Sequence, residues 1–406
     1  MHEYLFVCNV LPGDDINPEI NTQKATYLAQ KGIMDALSQK VESLGVLAYP
    51  QYTIYPKSNI IYRNGSKTIK GNTEYVQIPT INLPGLRIIF RNLFFLIYIL
   101  KWCIKKRKAN KHLIQYNVSS PSLVVTLVAK FFRKTDVSAF LYDLGMPPSS
   151  YNYSCFKRLV YKIIDVQAKA LINRMDYAYV ITEAVAEDYA SKIKTLLVDG
   201  GISEDVLSHI PLKDSRHKDK TVCLIAGNLT ETNGVKLLLD ASKYLKEDTI
   251  ELWFAGKGDM VELIKQEASV NSQILYKGFF DTNQLFDIYA SVDVLLNLRL
   301  MPADEGRYLF PSKLLEYMIT GRRVISTDFA HVKKDYGDVC DILISSNAET
   351  LANLLKEINV KKNDGKGALA QDFMLRNRTW NAQIGKIVNM LENRKASSHY
   401  ENTTHY

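Results

Sequence analysis

Short apolar runs alternate with longer helical stretches along the whole chain, and the alternation stops once and restarts. Tyr4–Asn9, Gly45–Ala48, His112–Asn117, Val137–Leu141 and Tyr177–Ile181 read as strands. The segments 22–43, 122–132, 157–173 and 183–191 read as helices between them. The segment 208–220 is polar, carries Pro211 and lacks helical periodicity. The pattern then resumes, with strands predicted at 221–226, 250–255, 274–277, 292–296 and 323–326, and helices at 235–244, 260–268, 282–290, 313–319 and 348–358. Such alternation predicts parallel sheets with helices on both faces, here two doubly wound α/β domains. The expected division is 1–207, 208–370, a C-terminal helix within 371–393 that packs back toward the first domain, and a disordered polar tail, 394–406. Ligands of such sheets bind beyond the carboxyl ends of the strands, so a cleft between facing domains is the expected site.

Composition narrows the possibilities. Hydrophobic residues form 47% of the 406, enough for two cores, and 23% charged residues argues against a disordered chain. The net charge of +8 suits anionic partners. Five scattered cysteines without a C-x-x-C pair form neither a disulfide framework nor a zinc site and fit a reducing compartment. The N-terminus enters a strand-like run and reads as no signal peptide, so a cytoplasmic location is expected. In Leu86–Lys111 the longest uninterrupted apolar stretch, Leu93–Leu100, is too short to cross a bilayer. Its flank carries Lys101, Lys105, Lys106, Arg107, Lys108 and Lys111, with Phe90, Phe94, Phe95, Tyr98 and Trp102 interleaved. Two compatible readings stand: a core helix with a solvated basic end, or a helix lying on an anionic membrane.

Phe310–Thr327, FPSKLLEYMITGRRVIST, is the most informative stretch. Ser312 is an N-cap candidate, Leu314, Leu315, Met318 and Ile319 form a buried face, and Gly321 sits where a positive φ ends the helix. Free N–H groups at the helix start, with Lys313 beside them, make an anion site. Glu316, one turn on, suits a pair of ribose hydroxyls.

This stretch resembles the donor-binding signature of family 4 glycosyltransferases. Further elements arrive in matching order: VCLIAGNLTETNGVKLLLDA (Val222–Ala241), ELWFAGKGDM (Glu251–Met260), LYKGFFDTNQLFDIYASVDVLL (Leu275–Leu296), and, upstream, YVITEAVAEDYA (Tyr179–Ala190) and VDGGIS (Val198–Ser203). The resemblance implies the GT-B fold: two Rossmann-like doubly wound parallel-sheet domains facing each other across a cleft. It implies that Glu316 holds the nucleotide ribose and that Gly227, Asn228 and Leu229 form the loop under the diphosphate. By the same resemblance Lys277 and Gly278 meet the nucleobase, and Leu309, Phe310, Pro311 and Ser312 offer backbone N–H groups to the donor.

Three positions depart from the family's pattern. Tyr308 stands where the first glutamate of the E-x7-E motif belongs, with Glu305 nearby at the wrong spacing. Asn228 and Asn233 stand where the family usually has arginine and lysine. A leaving diphosphate needs compensating charge, and Arg299, Arg307 and Lys313 are the candidates to supply it. In the N-terminal half, Asp143 is an acid/base or acceptor-orienting candidate, or else a loop cap. Gly13 and Asp14 are acceptor-binding candidates, or else a solvated turn. His112 reads as structural. No D-x-D pair or ligand-spaced His/Cys/Asp cluster occurs, so neither a metal nor another cofactor is expected. The resemblance implies a hexosyltransferase acting with retention on a nucleotide-diphosphate sugar. The expected acceptor is a glycan or an undecaprenyl-type lipid-linked sugar in bacterial surface polysaccharide assembly, at the inner face of the plasma membrane, with no nucleic-acid partner. The asparagines keep an alternative open, a catalytically inactive GT-B binding or regulatory subunit.

Overall fold

The computed structural model describes residues 1–14, 17, 20, 24–117, 120–142, 144, 154–210, 220–245, 249–300, 306–310, 312–361 and 364–393. Asp143, Glu305, Pro311 and the tail 394–406 lie outside them. The chain divides into two compact units, one formed by Met1–Gly201 with the segment from Trp380, the other by Ile202–Thr379.

The first unit runs β1 (His2–Cys8), α1 (Lys24–Lys40), β2 (Leu44–Ala48), β3 (Tyr62–Arg63), β4 (Ser66–Lys70), β5 (Thr73–Gln77), β6 (Thr80–Ile81), α2 (Leu86–Lys105), β7 (Asn110–Tyr116), α3 (Ser120–Leu127), β8 (Thr135–Leu141), α4 (Cys155–Ile172), β9 (Tyr177–Val180), α5 (Glu183–Tyr189) and β10 (Lys194–Leu197). Its eight-stranded sheet has the order β10-β9-β8-β7-β1-β2-β5-β4. All neighbours pair in parallel except β4, which folds back on β5 as an antiparallel edge. That hairpin escaped the sequence reading, although Ser66–Lys70 and Thr73–Gln77 flank Gly71-Asn72, a two-residue turn with Gly71 at φ 59°.

The second unit holds α6 (Glu204–Ser208), β11 (Thr221–Asn228), α7 (Val235–Ser242), β12 (Ile250–Lys257), α8 (Val261–Val270), β13 (Ile274–Gly278), α9 (Thr282–Ala290), β14 (Val294–Asn297), α10 (Ser312–Met318), β15 (Arg323–Thr327), α11 (Val332–Tyr336), β16 (Asp341–Leu343), α12 (Ala348–Val360) and α13 (Lys366–Asn377). Its six strands are all parallel, in the order β13-β12-β11-β14-β15-β16. Numbered within the unit this is 3-2-1-4-5-6, the doubly wound order that reverses between its first and fourth strands. Strands such as Val222–Ala226 are buried on both faces. One face packs against Val235, Leu238, Ile264 and Leu351, the other against Tyr289, Leu314, Met318 and Met374. Each such side chain contributes about 1.5–3 kcal/mol on leaving water.

The C-terminal helix expected within 371–393 is in fact two, α13 and α14 (Trp380–Glu392). They break at Arg378-Thr379 because the Arg378 carbonyl accepts from the Ile202 amide at 2.8 Å and Thr379 bridges to Ile202 as a short strand pair. α14 belongs to the first unit. There Trp380, Ile384, Ile387, Val388 and Leu391 enter one core with Tyr27, Ile33 and Leu37 of α1. The Tyr4 hydroxyl donates to Glu392 at 2.8 Å. His112 is buried on β7, 3.2 Å from Asp136. The five cysteines are unpaired, and burial pushes the Cys8 and Cys340 thiols up to about 12.

Trp380 fixes a prediction. A β-carbon at Gly32 would overlap its indole ring. Alanine is favoured over glycine within a helix by about 1 kcal/mol, but overpacking a filled core costs about 1–3 kcal/mol. Gly32→Ala therefore lowers the urea midpoint with an unchanged slope.

Candidate functional site

Within the second unit, a cavity of about 280 Å³ opens at the carboxyl ends of β11 and β14. This is the point where the strand order reverses. Two neighbouring connections leave there in opposite directions and cannot cover the crevice between them, so a ligand site arises from topology alone. β11 contributes Ile225, Ala226 and Asn228, and the end of β14 and its loop contribute Leu296 to Arg299. Leu309, Phe310, Ser312, Lys313 and Tyr317 line the rest with Asn233 and Phe329.

The loops around the cavity are braced against each other. Asn233 donates from its side-chain nitrogen to the Asn228 carbonyl at 2.7 Å and accepts from the Arg299 guanidinium at 2.8 Å. Thr327 at the end of β15 accepts from the Arg299 amide at 2.9 Å and donates to the Arg299 carbonyl at 2.8 Å. The Leu300 amide donates to the Thr232 carbonyl at 2.8 Å. Arg299 is thus pinned by its main chain on one side and by its head group on the other.

Lys313 reaches from the first turn of α10 across Gly227 and donates to the Ala226 carbonyl at 2.5 Å. Gly227 has φ 110°, and a β-carbon there would take the space of the Lys313 amine. Behind it the buried Tyr317 hydroxyl accepts from the Ala226 amide at 3.3 Å and donates to the Ala226 carbonyl at 3.2 Å. Burial lowers the Lys313 pKa; the Glu316 carboxylate opposes this shift and the Arg299 charge adds to it. Among the described lining residues two are cations and none is a carboxylate. The cavity therefore has the electrostatics of an anion site.

The structure gathers part of the predicted set. Asn228, Asn233, Arg299, Leu309, Phe310, Ser312 and Lys313 line the cavity, and Gly227, between two lining residues, lies against the Lys313 amine. Glu316 lies outside the lining, half-buried one turn along α10, where its charge acts on Lys313, Tyr289 and Tyr317. Lys277 lays its ammonium 3.9 Å from the Trp253 ring, next to Gly278 at φ 87°. Arg307 is exposed, with its guanidinium over the Tyr308 ring at 5.2 Å. In the first unit, Asp14 accepts from the Leu11 amide at 2.6 Å and so caps its own turn, and the Gly13 amide donates to the Tyr27 hydroxyl at 3.2 Å. Sequence reasoning missed Asn297, Thr327, Tyr317 and Phe329. The first two end strands of the second sheet, a position the doubly wound pattern marks in advance; the other two are placed only by packing.

The comparisons with known proteins agree with this architecture. Residues 220–358 match the family model described as Glycosyl transferases group 1. Sucrose-phosphate synthase from Thermosynechococcus elongatus is similar in structure at 13% identity and a TM-score of 0.61, over 97% of this chain and 100% of that one. A glycosyltransferase from Rickettsia africae aligns at 12% identity and a TM-score of 0.61, over 97% and 98%. The Anabaena protein HepE, solved in complex with UDP, aligns at 14% identity and a TM-score of 0.59, over 96% and 100%. No curated protein matches the sequence. The fold is GT-B, with a Rossmann-like doubly wound sheet in each unit.

Tyr317 offers a test of how the cavity floor is held. Tyr317→Phe removes the hydroxyl that serves both polar atoms of Ala226, and a lost buried hydrogen bond costs about 1–3 kcal/mol. Urea unfolding should show a loss in that range.

Proposed function

We propose that this chain, a glycosyltransferase of the GT-B fold with a group 1 domain at residues 220–358, transfers a sugar from a nucleotide-diphosphate sugar bound in the cavity of its second unit. The observation that carries this reading is the presence of two cations, Arg299 and Lys313, in one cavity at the topological switch point, with Gly227 leaving the space that the Lys313 amine takes. A structure of the same fold solved with UDP supports a uridine nucleotide as the first donor to try.

In this reading Arg299 and Lys313 take over the charge compensation that Asn228 and Asn233 lack. A fixed cation stabilises a diphosphate leaving group more than water does, because its orientation is set before the reaction. Asn233 and Thr327 set it here for Arg299. Glu316 holds the ribose, Lys277 and Gly278 border the base, and the backbone of 309–312 meets the sugar and phosphates. Tyr308 faces the donor sugar in place of a glutamate, and the transfer retains configuration. Asp143 is the acid/base or orienting group for an acceptor hydroxyl, and Gly13 and Asp14 border that acceptor, a glycan or lipid-linked sugar of bacterial surface polysaccharide. Among the described residues no helix is long and apolar enough to cross a membrane.

A thermal-shift panel of nucleoside diphosphates and their sugars tests the donor site, since a ligand of the folded state raises the melting temperature. Glu316→Ala should lower donor affinity tenfold or more, on the order of 1.5–3 kcal/mol for hydrogen bonds to a charged group, without moving the melting temperature of the free protein. Unchanged donor affinity in that variant would remove Glu316 from the site. Stabilisation by a sugar nucleotide with no release of nucleoside diphosphate, with or without acceptor, would favour the inactive binding subunit, a reading that rests on Asn228 and Asn233.

Lys313 adds a signature. Its pKa is depressed in the free protein, and a bound diphosphate raises it again. Between the free and bound values the complex holds the proton that the free protein has lost, so binding takes up protons on the alkaline side. Calorimetric titration with UDP in buffers of different ionisation enthalpy should give a positive proton number that Lys313→Met abolishes. Proton release, or an uptake surviving that change, would count against Lys313 at the phosphates.

A further inference from the structure

α2, α3 and α4 follow β5 to β9 through successive connections of one hand, which places them on one face of the first sheet, with α3 in contact with both its neighbours. The outer surface of this layer is unlike that of an ordinary α/β protein. Of the described residues of α4 only Ala168 and Ile172 are buried, yet the helix carries Leu159, Ile163 and Val166 in one stripe, with Val160 and Ile164 beside it. Ile163 is 49% exposed and Val166 58%. On α2, Ile89, Leu93 and Ile97 form a second exposed stripe, and Phe131 after α3 is 88% exposed. Exposed apolar stripes of this kind mark an interaction site.

The charge around it selects the partner. Between Leu86 and Thr135 the sequence has eleven basic residues and no acidic one. Lys106 is paired with Glu3 and Lys111 is buried against backbone carbonyls, but Lys101, Lys105, Arg107 and Lys108 are exposed. α4 adds exposed Lys157, Arg158 and Lys162, and its one acid, Asp165, is paired with Lys169. The segment 86–172 that contains these helices has a net charge of +12, more than the +8 of the whole chain. The aromatics of α2 take little part: Phe95 and Trp102 are buried, and the Tyr98 hydroxyl donates to Glu74 at 3.0 Å.

We propose that this face docks on an anionic lipid bilayer, with the aliphatic stripes of α4 and α2 entering the headgroup boundary and the basic side chains reaching the lipid phosphates. Aliphatic side chains ringed by lysine and arginine, on helices lying flat, have the chemistry of an interfacial anchor. The docking deepens the lipid-linked acceptor reading, and it is tested without donor or acceptor, so the two fail separately.

The experiment is flotation of the full chain with vesicles of phosphatidylcholine alone or mixed with phosphatidylglycerol. The expected result is flotation with the mixed vesicles, weakened by salt. The double change Ile163→Asp with Ile164→Asp should reduce bound protein roughly tenfold or more, while Val360→Asp, at an exposed apolar residue of the second unit, leaves it unchanged. Lys157→Glu with Lys162→Glu, which leaves the apolar stripes intact, should give a similar loss; melting temperatures show that each variant is folded. The proposal is overturned by failure of the parent to float, by flotation that neither α4 variant weakens, or by a dimer in light scattering that the aspartates dissolve in a chain that binds no vesicles.

Discussion

The backbone at Gly227 is the point on which the candidate site depends. β11 has a positive φ there, at its next-to-last residue, and the absent side chain leaves the path along which Lys313 reaches the Ala226 carbonyl. Any β-carbon at this position would both strain the backbone and displace the amine. The same departure of the strand leaves room for Asn228 to receive Asn233, which in turn holds the Arg299 guanidinium.

The two cations are held differently. Arg299 is fixed by main-chain bonds to Thr327 and by a side-chain amide, so it lies in place before any ligand arrives. Lys313 spends its hydrogen bond on a carbonyl and is partly desolvated, a state that an incoming anion relieves. In the proposed reading the pinned guanidinium and the desolvated ammonium share the compensation of the diphosphate charge. Asn233 then serves as a brace, where the pattern that the chain resembles places a lysine.

The outer layer of the first unit follows a different physical logic. α1 and α14 cover one side of the sheet with a filled core closed by Trp380. α2 turns Phe95 and Trp102 inward and its aliphatic edge outward, and α4 leaves most of its length uncovered. Hydrophobic burial was satisfied on the inner side of this layer and left unsatisfied on the outer side, next to a surplus of positive charge.

The sequence by itself determined the alternation of strand and helix, the restart after the polar break, and the α10 segment with its Ser312 start and Gly321 end. These are local properties: they depend on the period of apolar residues and on the φ that glycine permits. Asn228, Arg299 and Lys313 enter through the family resemblance, the first as a departure from its pattern and the other two as replacement cations; Lys313 also stands at a helix start. Tertiary structure alone decided that Arg299 meets Asn233, that Lys313 crosses Gly227, that Glu316 lies beyond the cavity lining, and that the terminal helix splits at Arg378. It also decided which side of α2 faces outward. Each of these joins residues far apart in the chain, and neither periodicity nor propensity carries information about which distant backbone atom will accept a given hydrogen bond.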